Sequence, residues 1–312
     1  MDPVLRAVLT SWNWRLEIIL VLALAGTLYS RGWWRLRKRT HHRHKVHRAG
    51  QPWPLTAVWR FVSYLAGLVI LGIALMSPID VLGGQLFFMH MIQHLLLIMI
   101  VPPLLLIANP MAVVLWGLPD GARRKIGGGI SVALHRDSYL RQLIRAVTAP
   151  GLVWLVWVIV VIGWHDPNMY NWALRSDFVH DLEHLSFFLV SMVYWWHVTG
   201  AGPRIHKQFG LLGRIIFVVA AIPPNMLTGI VLAFADSPIY TYYLAVPRIW
   251  NISVMTDQRV SGVVMWIPGS MMYIIAALIL IGQLLDQEER KPSLPEKKWA
   301  TDDALLAPGL KK

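Results

Sequence analysis

The chain contains two histidine pairs in which the partners are four residues apart, His90 with His94 and His180 with His184. Each pair interrupts a mostly apolar stretch, and the spacing places both imidazoles of a pair on one face of a helix. Titratable side chains in a membrane helix are costly, and they usually face a bundle interior, a partner or a water-filled cavity. Imidazole binds copper, zinc and iron well. The sequence therefore predicts a metal site built from these histidines.

Two further residues are candidate ligands, His165 at the end of the fourth apolar stretch and Asp257 just before the last one. Asp181 and Glu183 flank the second histidine pair, where a carboxylate could orient a ligating imidazole. The 13 methionines supply thioethers that favour copper, but their spacing does not tell which of them faces the site. The chain has no cysteine, which excludes disulfides, thiolate ligands and iron–sulfur clusters.

Other histidines allow other interpretations. A histidine in a membrane helix often makes a hydrogen-bonded contact between helices, and the doubled pair favours metal binding over that alternative. His197, near the opposite end of the fifth apolar stretch, is expected to be an interfacial residue or a separate ligand. The run HHRHKVH at residues 41–47 has the composition of a metal-binding tract. It also fits a basic loop that contacts anionic lipid headgroups.

The elements that must position these residues are membrane helices. The chain has 312 residues, of which 56% are hydrophobic and 15% charged, and its mean hydropathy is +0.50. Apolar runs approaching about 20 residues recur along it, which is the length of a spanning helix. We therefore predict an all-α, polytopic transmembrane helical bundle with about seven spans. They lie near residues 15–33, 56–76, 86–108, 150–164, 178–199, 211–235 and 261–284.

The basic residues predict the orientation of this bundle. Eight Lys or Arg residues lie between positions 31 and 48, and six lie after residue 285. Most of the others follow the third and fifth spans, so the N-terminus is expected outside and the C-terminus in the cytoplasm. Both histidine pairs then fall at a similar depth near the outer leaflet. The net charge of +12 therefore indicates membrane topology rather than a nucleic-acid partner.

Three regions follow from this pattern. Residues 1–54 hold the first transmembrane helix and the basic, His-rich cytoplasmic loop, and residues 55–285 form the transmembrane core. Residues 286–312 are polar and contain three prolines, which predicts a flexible cytoplasmic tail.

Four sequence blocks carry a resemblance to a known family: FFMHMIQHLLLIMIVPPLLLIANP (87–110), WHDPNMYNWALRSDFVHDLEHLSFF (164–188), SPIYTYY (237–243) and DQRVSGVVMWIPG (257–269). They resemble the caa3-type cytochrome c oxidase assembly factor CtaG family, in that family's order and across roughly residues 55–285. The family's paired-histidine elements match His90/His94 and His180/His184. Its Trp-His-x-Pro and Asp-Gln elements match His165 and Asp257.

The resemblance implies a multi-pass protein of the bacterial inner membrane that is not an enzyme. It implies a role in maturing haem–copper oxidase, with copper as the bound metal. The expected partners are copper-containing cytochrome c oxidase subunits, the lipid bilayer and a periplasmic copper chaperone. Two other functions fit the histidine pairs, a copper or cation transporter and a haem b-binding electron-transfer protein. A purely structural scaffold is a further alternative.

Overall fold

The computed structural model describes Arg6 and residues 10–40, 55–203, 205–206 and 209–290. These residues form helices joined by short connections, and they contain no strand. The helices, in chain order, are α1 (Leu16–Thr40), α2 (Val58–Met76), α3 (Pro78–Gly83), α4 (Phe87–Leu95), α5 (Val101–Ile107), α6 (Pro110–Gly117), α7 (Asp120–Ala133), α8 (Tyr139–Val147), α9 (Pro150–Trp164), α10 (Pro167–Arg175), α11 (Asp177–Thr199), α12 (Leu211–Val219), α13 (Ile222–Phe234), α14 (Tyr242–Ala245) and α15 (Val254–Glu289). The predicted His-rich tract 41–47 and residues 291–312 lie outside the described part of the chain.

The all-helical membrane architecture predicted from the sequence is confirmed. In the described ranges, five helical segments are long and apolar enough to cross a membrane, namely Leu16–Arg39, Val58–Met76, Phe87–Ile107, Leu211–Phe234 and Val254–Glu289. The pair α8 and α9, bent by 52°, adds a sixth if it counts as one span. The 23 residues of α11, at about 1.5 Å per residue, make this helix long enough to cross a membrane, but it is not one of the five segments that are also apolar enough. A seventh span and the orientation of the termini stay predictions.

The third apolar segment is interrupted just after the first histidine pair. A π-helical turn, Leu96–Ile100, joins α4 to α5, and Pro102 follows it. Proline has no N–H, so the carbonyl of Ile98 lacks its usual helical donor. The indole Nε1 of Trp195 on α11 donates to that carbonyl at 2.8 Å. The carbonyl freed by the interruption is therefore used in a hydrogen bond between the two segments that carry the histidine pairs.

The core is rich in aromatic side chains. The larger of two buried clusters centres on Trp157, Tyr194, Trp195 and Tyr273, with the rings of Trp195 and Tyr273 stacked at 6.0 Å. A smaller cluster contains Tyr29 and Tyr64, whose rings stack at 3.9 Å between α1 and α2. Many leucine, valine and isoleucine side chains on the outward faces of α1, α2, α13 and α15 are exposed, as lipid-facing side chains are.

The last apolar helix packs closely against its neighbour α13. A Cβ atom added at Gly229 would lie 2.7 Å from the backbone nitrogen of Trp266, so the crossing tolerates no larger residue there. Small residues at such contacts let two membrane helices approach closely. This packing fixes the position of α15. Asp257 in the first turn of α15 accepts hydrogen bonds from the start of α4, the helix that carries His90.

Candidate metal centre

Three histidines and one glutamate converge between α4 and α11. His90 and His94 come from α4, and Glu183 and His184 come from α11. One ligand atom from each residue lies within 4.8 Å of the corresponding atoms of the other three, and all four residues are buried. Glu183 is central, because its carboxylate oxygens lie 3.8 Å from His90 Nε2 and 3.7 Å from His94 Nε2. This donor set could hold a metal ion.

Several buried polar atoms of this cluster have no hydrogen-bond partner among the described residues. Within the described residues, no hydrogen bond reaches His90 Nε2, His184 Nε2, either nitrogen of His94 or either carboxylate oxygen of Glu183. A buried polar atom without a partner costs about 1–3 kcal/mol, and more when the group is charged. Such atoms are rare in folded proteins. Their convergence on one point is the physical signature expected of a site that a cation completes.

A chain of three hydrogen bonds orients the imidazole of His90. Its Nδ1 lies 2.8 Å from the hydroxyl of Tyr170, which lies 3.3 Å from the hydroxyl of Tyr243. Tyr243 donates its only proton to the carbonyl of Gly83 at 2.9 Å. All three bonds are satisfied together only when Tyr170 donates to Tyr243 and His90 Nδ1 donates to Tyr170. The lone pair of His90 then lies on Nε2, the atom that faces Glu183.

Burial keeps this chain of donors intact. Desolvation raises the pKa of Tyr170 and of Tyr243 well above the ordinary value of a phenol, so both hydroxyls stay protonated. A ligating histidine commonly donates its other ring N–H to such a partner, which fixes the tautomer and the ring orientation. The hydroxyl of Tyr170 is such a partner for His90 Nδ1.

Asp257 positions the helix that carries the first histidine pair. Its carboxylate accepts from the backbone N–H groups of Phe87 and Phe88, each at 2.9 Å, at the start of α4. Arg248 donates to the same carboxylate at 2.7 Å. The first N–H groups of a helix have no intrahelical partner, and an acceptor there satisfies them and favours the helix dipole. Both oxygens of Asp257 are therefore engaged, and the residue lies outside the histidine cluster that the sequence led us to assign it to.

The second histidine pair is divided between two ligand groups. His184 belongs to the buried cluster, whereas His180 joins Asp80 of α3 in a second group that again includes His184. Asp80 and His180 are only partly buried and line a cleft of about 440 Å³. Arg15 and Asp181 also line this cleft, and both terminal Nη atoms of Arg15 pair with the carboxylate of Asp181, one of them at 2.6 Å.

His165 lies beside the buried cluster without being part of its ligand group. Its Nδ1 donates to the carbonyl of Val161 at 2.7 Å, which leaves Nε2 with a lone pair. That Nε2 has no partner in the described part of the chain, and the ring lies 6.1 Å from the ring of His94. Both histidines line a small internal cavity together with three methionines, Met91, Met99 and Met265.

His197 is far from this region, as the sequence predicted. It lies in the last turn of α11, and its Nε2 bonds to the carbonyl of Thr148 at 2.8 Å. Sequence reasoning did not give Asp80 and Tyr170 a role at the metal site, and it placed Glu183 outside the ligands. The signal for Glu183 was available, because it lies three residues after His180 on the same helical face.

Comparisons with known proteins give one family match. A family model described as cytochrome c oxidase caa3 assembly factor matches residues 27–287. An uncharacterized protein of Mycobacterium leprae is 27% identical over 256 residues, which cover 79% of this chain and 37% of the relative. An uncharacterized protein of Mycobacterium tuberculosis is 25% identical over 312 residues, which cover 97% of this chain and 43% of the relative. The chain thus spans less than half the length of these relatives, and no solved structure matches it.

Proposed function

Because the chain belongs to the cytochrome c oxidase caa3 assembly factor family, we propose that it supplies copper during the assembly of a haem–copper oxidase. The metal is held by His90, His94, Glu183 and His184 and is passed to a copper-containing oxidase subunit. The observation that carries this proposal is the set of buried ligand atoms in that cluster that have no hydrogen-bond partner in the described part of the chain.

Hydrogen bonding between helices, the other role for these histidines, explains the geometry less well. The shortest ion-pair distances from Glu183 to the imidazoles, 3.7 and 3.8 Å, exceed hydrogen-bond length. Imidazole–metal bonds are about 2.0–2.1 Å long, so ligand atoms around one ion lie about 3–4 Å from each other. The spacing in the cluster therefore fits an ion at its centre better than direct contact between the side chains.

The thioethers next to the cluster favour copper over other metals. Thioethers are soft ligands that select copper, whereas imidazole with the carboxylate of Glu183 alone suits zinc or iron as well. Met91, Met99 and Met265 line the same small cavity as His94 and His165, so methionine and histidine side chains border one space here. Without cysteine, the site retains copper less tightly than a thiolate site does. Weaker retention suits delivery to a client protein.

Transport through the bundle is less well supported than delivery from one face. Trp157 lines the small methionine-lined cavity and belongs to a set of buried rings, with Tyr194, Trp195 and Tyr273, that pack against each other. This packing offers an ion few ligands on its way inward. The solvent-facing cleft at Asp80 and His180 instead gives access from one side, which we assign to the outer face.

A haem group fits poorly. Two histidines that ligate one haem must stand on opposite sides of a flat macrocycle. Here the ring centroids of His90 and His94 are 4.2 Å apart, and those of His90 and His184 are 5.6 Å apart. The carboxylate of Glu183 also lies within 3.8 Å of Nε2 of both His90 and His94, so these described side chains leave no room for a macrocycle.

Metal analysis of the purified, detergent-solubilised chain tests the proposal. The wild-type protein is expected to bind about one copper ion, and the double variant His90→Ala/His184→Ala is expected to bind none. His197→Ala is the matched control, because it removes a buried histidine from the other end of α11. Unchanged copper stoichiometry in the double variant, with an unchanged thermal transition, would contradict the site. In cells that lack the wild-type chain, the same variant should yield oxidase with less copper.

A further inference from the structure

The geometry points to a second metal station, formed by Asp80, His180 and His184, through which copper enters and leaves the buried cluster. This inference rests on the proposed function and adds to it a route for the ion. One ligand atom from each of these three residues lies within 4.8 Å of the others, as in the buried cluster. His184 belongs to both groups, so the two stations share a ligand.

The outer station is accessible to solvent. Asp80 and His180 are only partly buried and line the cleft, whereas the four residues of the inner cluster are all buried. An ion that arrives from solution therefore meets Asp80 and His180 before it can reach His90 or His94. The cleft has room for several water molecules, so a partly hydrated ion fits inside it.

The shared histidine explains how an ion can move between the stations without returning to solution. The ring of His180 lies 4.1 Å from that of His184 and 5.0 Å from that of His90. An ion held by His184 can exchange Asp80 and His180 for the inner ligands one at a time. Each intermediate then keeps at least one imidazole. The Nε2 of His184 is buried and has no protein partner in the described residues, so no hydrogen bond has to be broken before this atom binds an ion.

Two contacts hold Asp80 in place for this role. Its Oδ1 accepts from Gln93 Nε2 at 2.8 Å, and its Oδ2 accepts from Asn13 Nδ2 at 3.2 Å. Gln93 also donates to the carbonyl of Ala74 at 2.8 Å, so the side chain that orients Asp80 is itself fixed. A carboxylate oriented by hydrogen bonds in this way is typical of a metal ligand. Each oxygen keeps a further lone pair for an ion.

The stations can be separated by removing the two inner imidazoles that the outer station does not use. The variant His90→Ala/His94→Ala is expected to bind about one Cu²⁺ ion, with an electron paramagnetic resonance spectrum showing two nitrogen ligands from His180 and His184. Adding Asp80→Asn should weaken this binding at least about tenfold. Asp177→Asn is the matched control, because Asp177 lines the same cleft but belongs to neither group. Asparagine at position 80 still offers Gln93 an oxygen acceptor, which protects the fold.

The rate of exchange gives a second readout in the otherwise native chain. Asp80→Asn should leave the copper stoichiometry unchanged but slow the transfer of Cu²⁺ to a chelator about tenfold, with Asp177→Asn near the wild-type rate. If His90→Ala/His94→Ala binds no copper although the wild type does, the outer station is refuted and the proposed function stands. Equal effects of the two aspartate variants would also refute it, since a general loss of charge would then explain the result. If the wild type binds no copper, both proposals fall.

Discussion

Removing the hydroxyl of Tyr170 isolates the effect of orienting one ligand. In Tyr170→Phe the ring keeps its packing, including the stacking on Tyr240 at a centroid distance of 4.0 Å, and loses the hydrogen bond of 2.8 Å to His90 Nδ1. The N–H of His90 is then buried without an acceptor. The imidazole becomes free to adopt the other tautomer, which places the proton on Nε2 and removes the lone pair from the metal side.

The expected size of this effect follows from the role of such partners in metal sites. Loss of the group that orients a ligating histidine lowers metal affinity about 10- to 100-fold. This range corresponds to about 1.4–2.8 kcal/mol of binding free energy. Tyr243→Phe removes the next bond in the chain and should have a smaller effect, because His90 Nδ1 keeps its contact with Tyr170.

Competition with a chromogenic copper chelator measures the affinity of each variant in detergent. Tyr240→Phe is the matched control, because this buried phenol donates to the carbonyl of His165 at 2.9 Å and has no bond to His90. The reasoning is refuted if Tyr170→Phe binds copper as tightly as the wild type does. It is equally refuted if Tyr240→Phe loses as much affinity, since the effect would then belong to aromatic packing in general.

Two further substitutions separate ligands from residues that position them. Asp257→Asn should lower the midpoint of thermal unfolding, because an uncharged side chain supports the start of α4 and Arg248 less well, at a cost of about 1–3 kcal/mol. The copper stoichiometry should stay at the wild-type value, whereas a fall to zero would show that Asp257 is a ligand after all. Glu183→Gln should weaken copper binding and leave the metal-free protein at least as stable as the wild type, because a buried carboxylate without a partner is costly. A clear loss of stability in the metal-free variant would show instead that Glu183 stabilises the fold through its contacts with the histidines.

The part of the site that the sequence predicts is the part set by helical periodicity. The spacing of four places His90 beside His94 and His180 beside His184 in any helix, and the ring centroids within each pair lie 4.2 and 4.1 Å apart. The same periodicity places Glu183 on the face of His180. The helical face on which Glu183 lies could therefore be predicted from the sequence. Its distance from the imidazoles of α4 could not, because that distance depends on how the two helices pack.

The residues that the sequence could not assign come from other elements. Tyr170 reaches His90 from 80 positions away along the chain, and tertiary packing, including that of α10 against α11, brings it there. Asp257 is a residue for which the sequence suggested a role that differs from its contacts, because a carboxylate beside a predicted metal site was expected to be a ligand. The structure instead uses it where the unpaired N–H groups of α4 require an acceptor. Residue type restricts the possible partners of a side chain, and tertiary contact decides among them.

The helix α11 illustrates the cost of placing such a site in an apolar bundle. It is 23 residues long, yet it falls outside the set of helices apolar enough to span a membrane alone, because its first two turns carry acidic residues and the second histidine pair. Polar groups in hydrocarbon are tolerated when they face protein or water rather than lipid. In α11 they do so, since Glu183 and His184 are buried against α4 and His180 borders the cleft, while Leu182, Leu185 and Leu189 are exposed. The local conflict with the membrane pattern thus coincides with the candidate metal centre, which is where a fold is expected to give up stability for function.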